Sequence, residues 1–183
     1  MLLGVNPYKF LSEAAVQDLM DPATSEEVKS TVDELEDTLT NNVEEVKPDD
    51  MVTNGGVPVT TAENAVLVES YGHYFLAMEA VLAICEDEAN AEAAEDGADE
   101  ATPDQVADKA PDVVEQIAQA NGVDKEDITV VINADECAYI CECAINESKA
   151  TKGKKKKAVR KAKILAKAAK ALEGKVKLFK KKK

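Results

Sequence analysis

The sequence predicts an all-α protein: a small helical bundle with a long central helix, acidic loops and a projecting basic C-terminal helix. Three observations carry that expectation. Apolar residues make up 45% of the 183, yet aromatics are only 4% and Trp is absent, so much of the apolar content is Ala, the best helix former. Apolar positions recur at spacings of three and four along most of the chain. Only one stretch, "ITVVI" from Ile128 to Ile132, clusters the β-branched residues that favour strands.

Taken in order, "YKFLSEAAVQDLM" from Tyr8 to Met20 places Phe10, Ala14, Val16 and Leu19 near one helical face, with Pro7 as an early break. The next helix, "SEEVKSTVDELEDTLTNNVEEV", is capped by Ser25 and repeats apolar residues at Val28, Val32, Leu35, Leu39 and Val43 beneath an acidic outer face. Two Pro and Asn-Gly-Gly make "KPDDMVTNGGVPVTT" a loop from Lys47 to Thr61.

The stretch "TAENAVLVESYGHYFLAMEAVLAICEDEANAEAAED" then reads as one long helix capped by Thr60 or Thr61. Its middle is apolar on nearly every side, which makes it the central buried helix. It runs out into an acidic alanine tract with Gly97 and Pro103 that has little to bury and is expected to be a surface loop or a frayed helix end.

Helical periodicity returns through Val106, Val113, Val114 and Ile117, with Pro111 marking a kink or a break between two short helices and Asn121-Gly122 as the stop. A single strand at 128–132 would have no partner, and isolated strands are not stable, so that run is expected to form a short helical turn. "NADECAYICECAINESKA" is a helix capped by Asn133 that buries Cys137, Ile140, Cys141 and Ala144.

Charge divides the chain into an acidic helical body, 1–150, and a basic C-terminal helix or tail, 151–183. The body has 6 Lys and no Arg against 35 acidic residues, a net charge of −29; the tail has 16 Lys and Arg against the single acid Glu173, a net of +15. Opposite blocks of this size attract one another over a Debye length of about 8 Å at physiological ionic strength. In the tail, Ala158, Ala162, Leu165, Ala169 and Leu172 form a narrow seam at spacings of four and three, flanked by Val159 and Ala166 and ended by Gly174. A seam made mostly of methyl groups buries little, so this helix needs a partner. The candidates are its own acidic body, an acidic surface on another protein, or nucleic acid.

The residues expected to carry such docking are Lys154, Lys155, Lys156, Lys157, Arg160, Lys161, Lys163, Lys167 and Lys170, with Leu165 and Leu172 fixing register. A single Arg and a single tail aromatic, Phe179, serve base readout and stacking poorly, so any nucleic-acid binding would be indifferent to sequence. A membrane partner is not expected. The longest apolar run, Tyr71 to Cys85, is shorter than the roughly 20 residues of a membrane span, no secretory signal stands at the start, and the tail seam lacks bulky inserting residues. The chain reads as cytosolic.

Chemistry is sparsely represented. Cys137, Cys141 and Cys143 crowd together, but only the first two share a helical face, no His lies near them, and zinc prefers ligands from separate elements. With Cys85 they read as reduced, packed thiols rather than a disulfide framework. His73 is the one histidine, and it reads as a packed or partly exposed side chain. There is no Gly-rich phosphate loop, nucleophile elbow or paired-cysteine zinc motif, and among so many carboxylates no acid pair stands out. The expectation is a non-enzymatic protein with no catalytic, metal or cofactor site.

An acidic, Ala- and Glu-rich helical body followed by the Lys-rich "TKGKKKKAVRKAKILAKAAKALEGKVKLFKKKK" resembles, in charge layout, the scaffolding and prohead core proteins of tailed bacteriophages. The resemblance implies a head-assembly role in the host cytoplasm or the virion. The basic helix would dock on other virion or capsid proteins, and the body would self-associate as a homo-oligomer. It also implies cleavage by a prohead protease after Glu in the pattern Leu or Ile, any residue, Glu. That pattern ends here at Glu13, Glu69, Glu86, Glu142 and Glu147, and a cut at Glu147 would separate body from tail. The alternative reading is a nucleic-acid-binding protein that uses the same lysines without sequence preference.

Overall fold

The computed structural model describes residues 22–41, 61–70, 72–145 and 152–179. The expected helix at Tyr8–Met20, Val43, most of the Lys47–Thr61 loop and Glu147 lie outside them. The architecture is mixed α/β, which corrects the all-α expectation: among the described residues six α-helices accompany a four-stranded sheet.

The first helix, α1 (Pro22–Thr40), starts three residues ahead of Ser25 and buries Val28, Val32, Leu35 and Leu39, the seam its spacing dictates. Where one long helix was expected from Thr61 onward, the chain forms a 3-10 turn (Ala62–Asn64), then strands β1 (Val68–Ser70) and β2 (His73–Ala77). The two strands pair antiparallel with Ser70 opposite His73, and Gly72 in the tight turn takes φ 79°, a left-handed conformation that costs glycine little.

Only then does α2 (Met78–Glu95) begin, its buried face running through Met78, Val81, Leu82, Cys85, Ala89 and Ala93. The acidic alanine tract is therefore helical as far as Glu95. Of the kink or break expected at Pro111 the chain takes the break, two residues earlier: α3 (Pro103–Asp108) and α4 (Ala110–Asn121) meet at Lys109, and Pro111 sits in the first turn of α4. Thr102 and Gln105 form a reciprocal capping box at the start of α3, and Gly122 at φ 67° ends α4.

Ile128–Asn133 is β3, an interior strand of the sheet, not a helical turn. Its partners were concealed. Residues 73–77 sit inside an apolar run whose helical and strand readings are indistinguishable by periodicity, and Val176–Phe179, strand β4, follows the basic helix within a lysine-rich context. Strand order is β1-β2-β3-β4, with β2, β3 and β4 parallel. The crossover from β2 to β3 carries α2, α3 and α4. The one from β3 to β4 carries α5 (Ala134–Ile145) and α6 (Lys152–Ala171). Crossovers that hold helices are what parallel pairing requires.

The basic helix does not project. It packs against α1, α3 and α5 and buries Ala162, Ile164, Leu165, Ala166, Ala168, Ala169 and Leu172. After Glu173 (φ 44°) and Gly174 (φ 80°), β4 returns to the sheet edge, with Val130 N–H donating to Lys175 O at 3.0 Å. Alanine gives α6 its value here: small side chains let three helices approach one face, so a seam that would bury little against one partner contributes to a core shared by several.

Candidate functional site

Two features stand out, the charged surface of α6 and a cleft beside it. On α6, Arg160 pairs with Glu100 at 3.3 Å and Lys161 with Glu136 at 2.8 Å, while Lys163 pairs with Glu27 and Lys167 with Asp104. Four of the tail cations singled out by sequence are thus engaged by acids of α1, α5, α3 and the loop before α3. Lys156, Lys157 and Lys170 are exposed and make no ion pair with a described residue. Lys154 and Lys155 lie in the first turns of the same helix. Leu165 and Leu172 are buried, 4% and 5% exposed. The docking residues therefore divide three ways: Arg160, Lys161, Lys163 and Lys167 pair with the chain's own acids and seat the helix, Leu165 and Leu172 are buried, and Lys156, Lys157 and Lys170 form an outward, exposed group.

The cleft lies where β2, β3 and β4 end. Ala77, Asn133 and Phe179, the last residues of the three parallel strands, line it together with the first turns of α2 and α5 and one face of α6. Its volume is about 510 Å³. In open sheets of parallel strands this carboxyl edge is the usual ligand position. The geometry follows from chain connectivity: α2 and α5 each begin at the residue after a strand ends, so both helix N-termini are held at the rim. Asn133 caps α5, its Oδ1 accepting from Asp135 N–H at 3.0 Å.

Three charged groups meet at the rim. Glu79 of α2 donates a hydrogen bond to Glu136 of α5, and Lys161 of α6 approaches Glu136 from the other side. That hydrogen bond, reinforced by partial burial and by the Glu136 charge, pushes the Glu79 carboxyl up to about 7. The same bond, together with one from Lys161, holds Glu136 below the usual carboxylate range. Two carboxyls with values driven apart are the arrangement that separates a proton donor from a carboxylate. Beneath them the wall is apolar, formed by Leu82, Ile132, Ile140, Ile164, Leu165 and Phe179.

Sequence inspection missed this pair, and the reason is topological. Glu79 and Glu136 are two acids among 36, and only the parallel register of β2 with β3, which sets Ala77 opposite Val131, brings the helices following those strands together.

His73 opens β2 and is exposed, in place of the helical position expected of it. Cys85 is fully buried, and burial pushes its thiol up to about 12. Cys137, buried, donates to Cys141 one turn on, which raises the first and lowers the second. Cys143 is half-buried. Among the described residues no cluster of three or more His, Cys, Asp or Glu is arranged to hold a metal ion, and no helix is long and apolar enough to cross a membrane.

No protein-family model matches the chain, and no curated protein or solved structure is detectably similar to it.

Proposed function

We propose that the protein is a non-enzymatic structural or assembly component of a bacteriophage head, docking on another virion or capsid protein through the outward lysines of α6. The observation that supports this reading is the division of labour along the helix. Arg160, Lys161, Lys163 and Lys167 are taken up by the chain's own acids, whereas Lys156 and Lys157 stand exposed on a turn with Lys154 and Lys155 as neighbours. A compact cationic turn on a strongly acidic molecule is the part of its surface that an acidic partner attracts, so it orients the encounter. Rim lysines of this sort act mainly on association rate and salt dependence.

The test is charge reversal at Lys154, Lys155, Lys156 and Lys157 to Glu, with binding to capsid proteins and to duplex DNA measured at two salt concentrations. Loss of capsid-protein binding in a folded variant supports docking. Wild-type binding to DNA with a steep salt slope, and none to capsid proteins, overturns it in favour of the nucleic-acid reading.

A further inference from the structure

The cleft at the carboxyl edge of the sheet has no part in docking by the outward lysines, and it has the dimensions and lining of a ligand site. We propose that it binds a small amphipathic primary amine, with the ammonium group between Glu79 and Glu136 and the apolar chain along Ile132, Ile140, Ile164 and Phe179.

Four observations lead there. The volume, about 510 Å³, falls within the ~300–1,000 Å³ range of small-molecule pockets. The apolar wall is made of side chains that belong to the core: Ile132 is 5%, Ile140 6%, Ile164 1% and Phe179 2% exposed. Packing in the core therefore holds this wall in place before any ligand arrives, and the edges it offers the cleft are apolar.

Charge then selects the head group. The charged groups that line the cleft with Glu79 are Glu136 from α5, Lys161 from α6 and Glu86 two turns further along α2, while the sheet contributes the neutral Asn133 and α5 the Cys137 thiol. With Glu79 holding its proton, two carboxylates stand against one ammonium, so positive charge is still in deficit. An anionic ligand meets repulsion there; a cation completes the set.

The fourth observation is the shared proton. Below about pH 7 Glu79 keeps its proton and lends it to Glu136, because neighbouring carboxylates cannot both ionise cheaply. A bound ammonium supplies the same hydrogen bonds with a full positive charge. Glu79 then releases its proton to solvent, leaving two carboxylates facing two ammonium groups, the ligand's and that of Lys161. Binding is thus linked to pH. It strengthens as pH rises to about 7, where Glu79 ionises unaided, and stays level until an alkylamine itself loses charge near pH ~10.

The experiment compares octylamine with 1-octanol, which has the same chain and no charge, by titration of the full-length protein followed through the methyl resonances of Ile132, Ile140 and Ile164. At about pH 8 the amine is expected to bind about tenfold or more tightly than the alcohol, and at about pH 5.5 most of that margin disappears while the alcohol is unchanged. Glu136→Gln and Glu79→Gln should each erase the margin and leave octanol binding in place, and Ala83→Trp, which fills the cleft, should remove both ligands. Equal affinities for amine and alcohol at both pH values, or resonances that move with neither, overturn the proposal using wild-type protein alone.

Discussion

Lys161 Nζ of α6 lies 2.8 Å from Glu136 Oε1 of α5, and Glu136 in turn accepts the proton of Glu79 on α2. One carboxylate therefore ties together three helices through residues 79, 136 and 161 of the chain. The tie has a pH signature. Glu79 is raised to about 7 in the folded protein against roughly 4.3 in an unfolded chain. Between those values the folded state holds a proton that the unfolded state has lost, so Glu79 favours folding at acid pH and that contribution falls away as pH climbs to about 7. Glu136 is depressed and acts the other way, its contribution being lost only as pH drops below the unfolded value.

Replacing Glu79 with Gln keeps a donor to Glu136 and removes the titration. Because Glu79 is partly exposed to solvent, screening reduces the effect to about 1 kcal/mol. Urea unfolding should show the variant more stable than wild type by that margin near pH 8 and no more stable near pH 5. A difference independent of pH would contradict the shared proton.

The charge division is used inside the molecule, and this too is measurable. Lys167 on α6 pairs with Asp104 on α3, and Lys163 with Glu27 on α1. All four side chains retain solvent contact, so each pair is worth only about 0.2–1 kcal/mol. Lys167→Asp should destabilise by about 1 kcal/mol through repulsion, and adding Asp104→Lys should recover most of the loss. Raising the salt concentration should shrink both effects. A double variant no more stable than Lys167→Asp would show that the pair does not form in solution.

What the sequence disclosed and what it hid divide along physical lines. Elements whose signal is local were legible: the α1 seam at Val28, Val32, Leu35 and Leu39, the break before Pro111, the Gly122 stop and the Asn133 cap. Elements that exist only through distant pairing were not. His73–Ala77 has no strand identity until Ile128–Val131 lies beside it, and β4 is four residues long. The same holds for the cleft, because a carboxyl pair made across parallel strands leaves no spacing to read. Charge division along the chain was plain, but which of its cations pair with the body depended on the acids of α1, α3, α5 and the loop before α3.

The four cysteines should divide by reactivity. Cys85 is buried in α2, its thiol pushed up to about 12 by burial and then by the nearby Glu88 charge. Cys137 is buried and donates to Cys141, so its thiolate is disfavoured too. Cys141 and Cys143 are half-buried, and the bond from Cys137 favours the Cys141 thiolate. Since the thiolate is the reacting form, a disulfide reagent at neutral pH should modify Cys141 early and Cys85 only on unfolding. Peptide mapping after timed labelling distinguishes them. Early labelling of Cys85 would mean that α2 is not packed as described.

Removing residues 151–183 is the obvious way to ask what the basic segment does, and the structure foretells a different result from the loss of a dispensable tail. Deletion takes away α6 and β4, and with them Ile164, Leu165, Leu172, Val176, Leu178 and Phe179 from the core. At roughly 1.5–3 kcal/mol for each buried side chain, the loss is on the order of 10 kcal/mol. That is comparable with the ~5–15 kcal/mol that holds a whole domain together. It also strips β3 of the neighbour that pairs with it from Val130 to Asn133. The 1–150 fragment should therefore unfold without a cooperative transition and bind a hydrophobic dye. The variant with Lys154–Lys157 changed to Glu alters only the first turns of α6 and should melt cooperatively. Lost partner binding then has a meaning in the second protein that it lacks in the first. A 1–150 fragment with a sharp thermal transition would show that α6 and β4 are accessories to a body that folds without them.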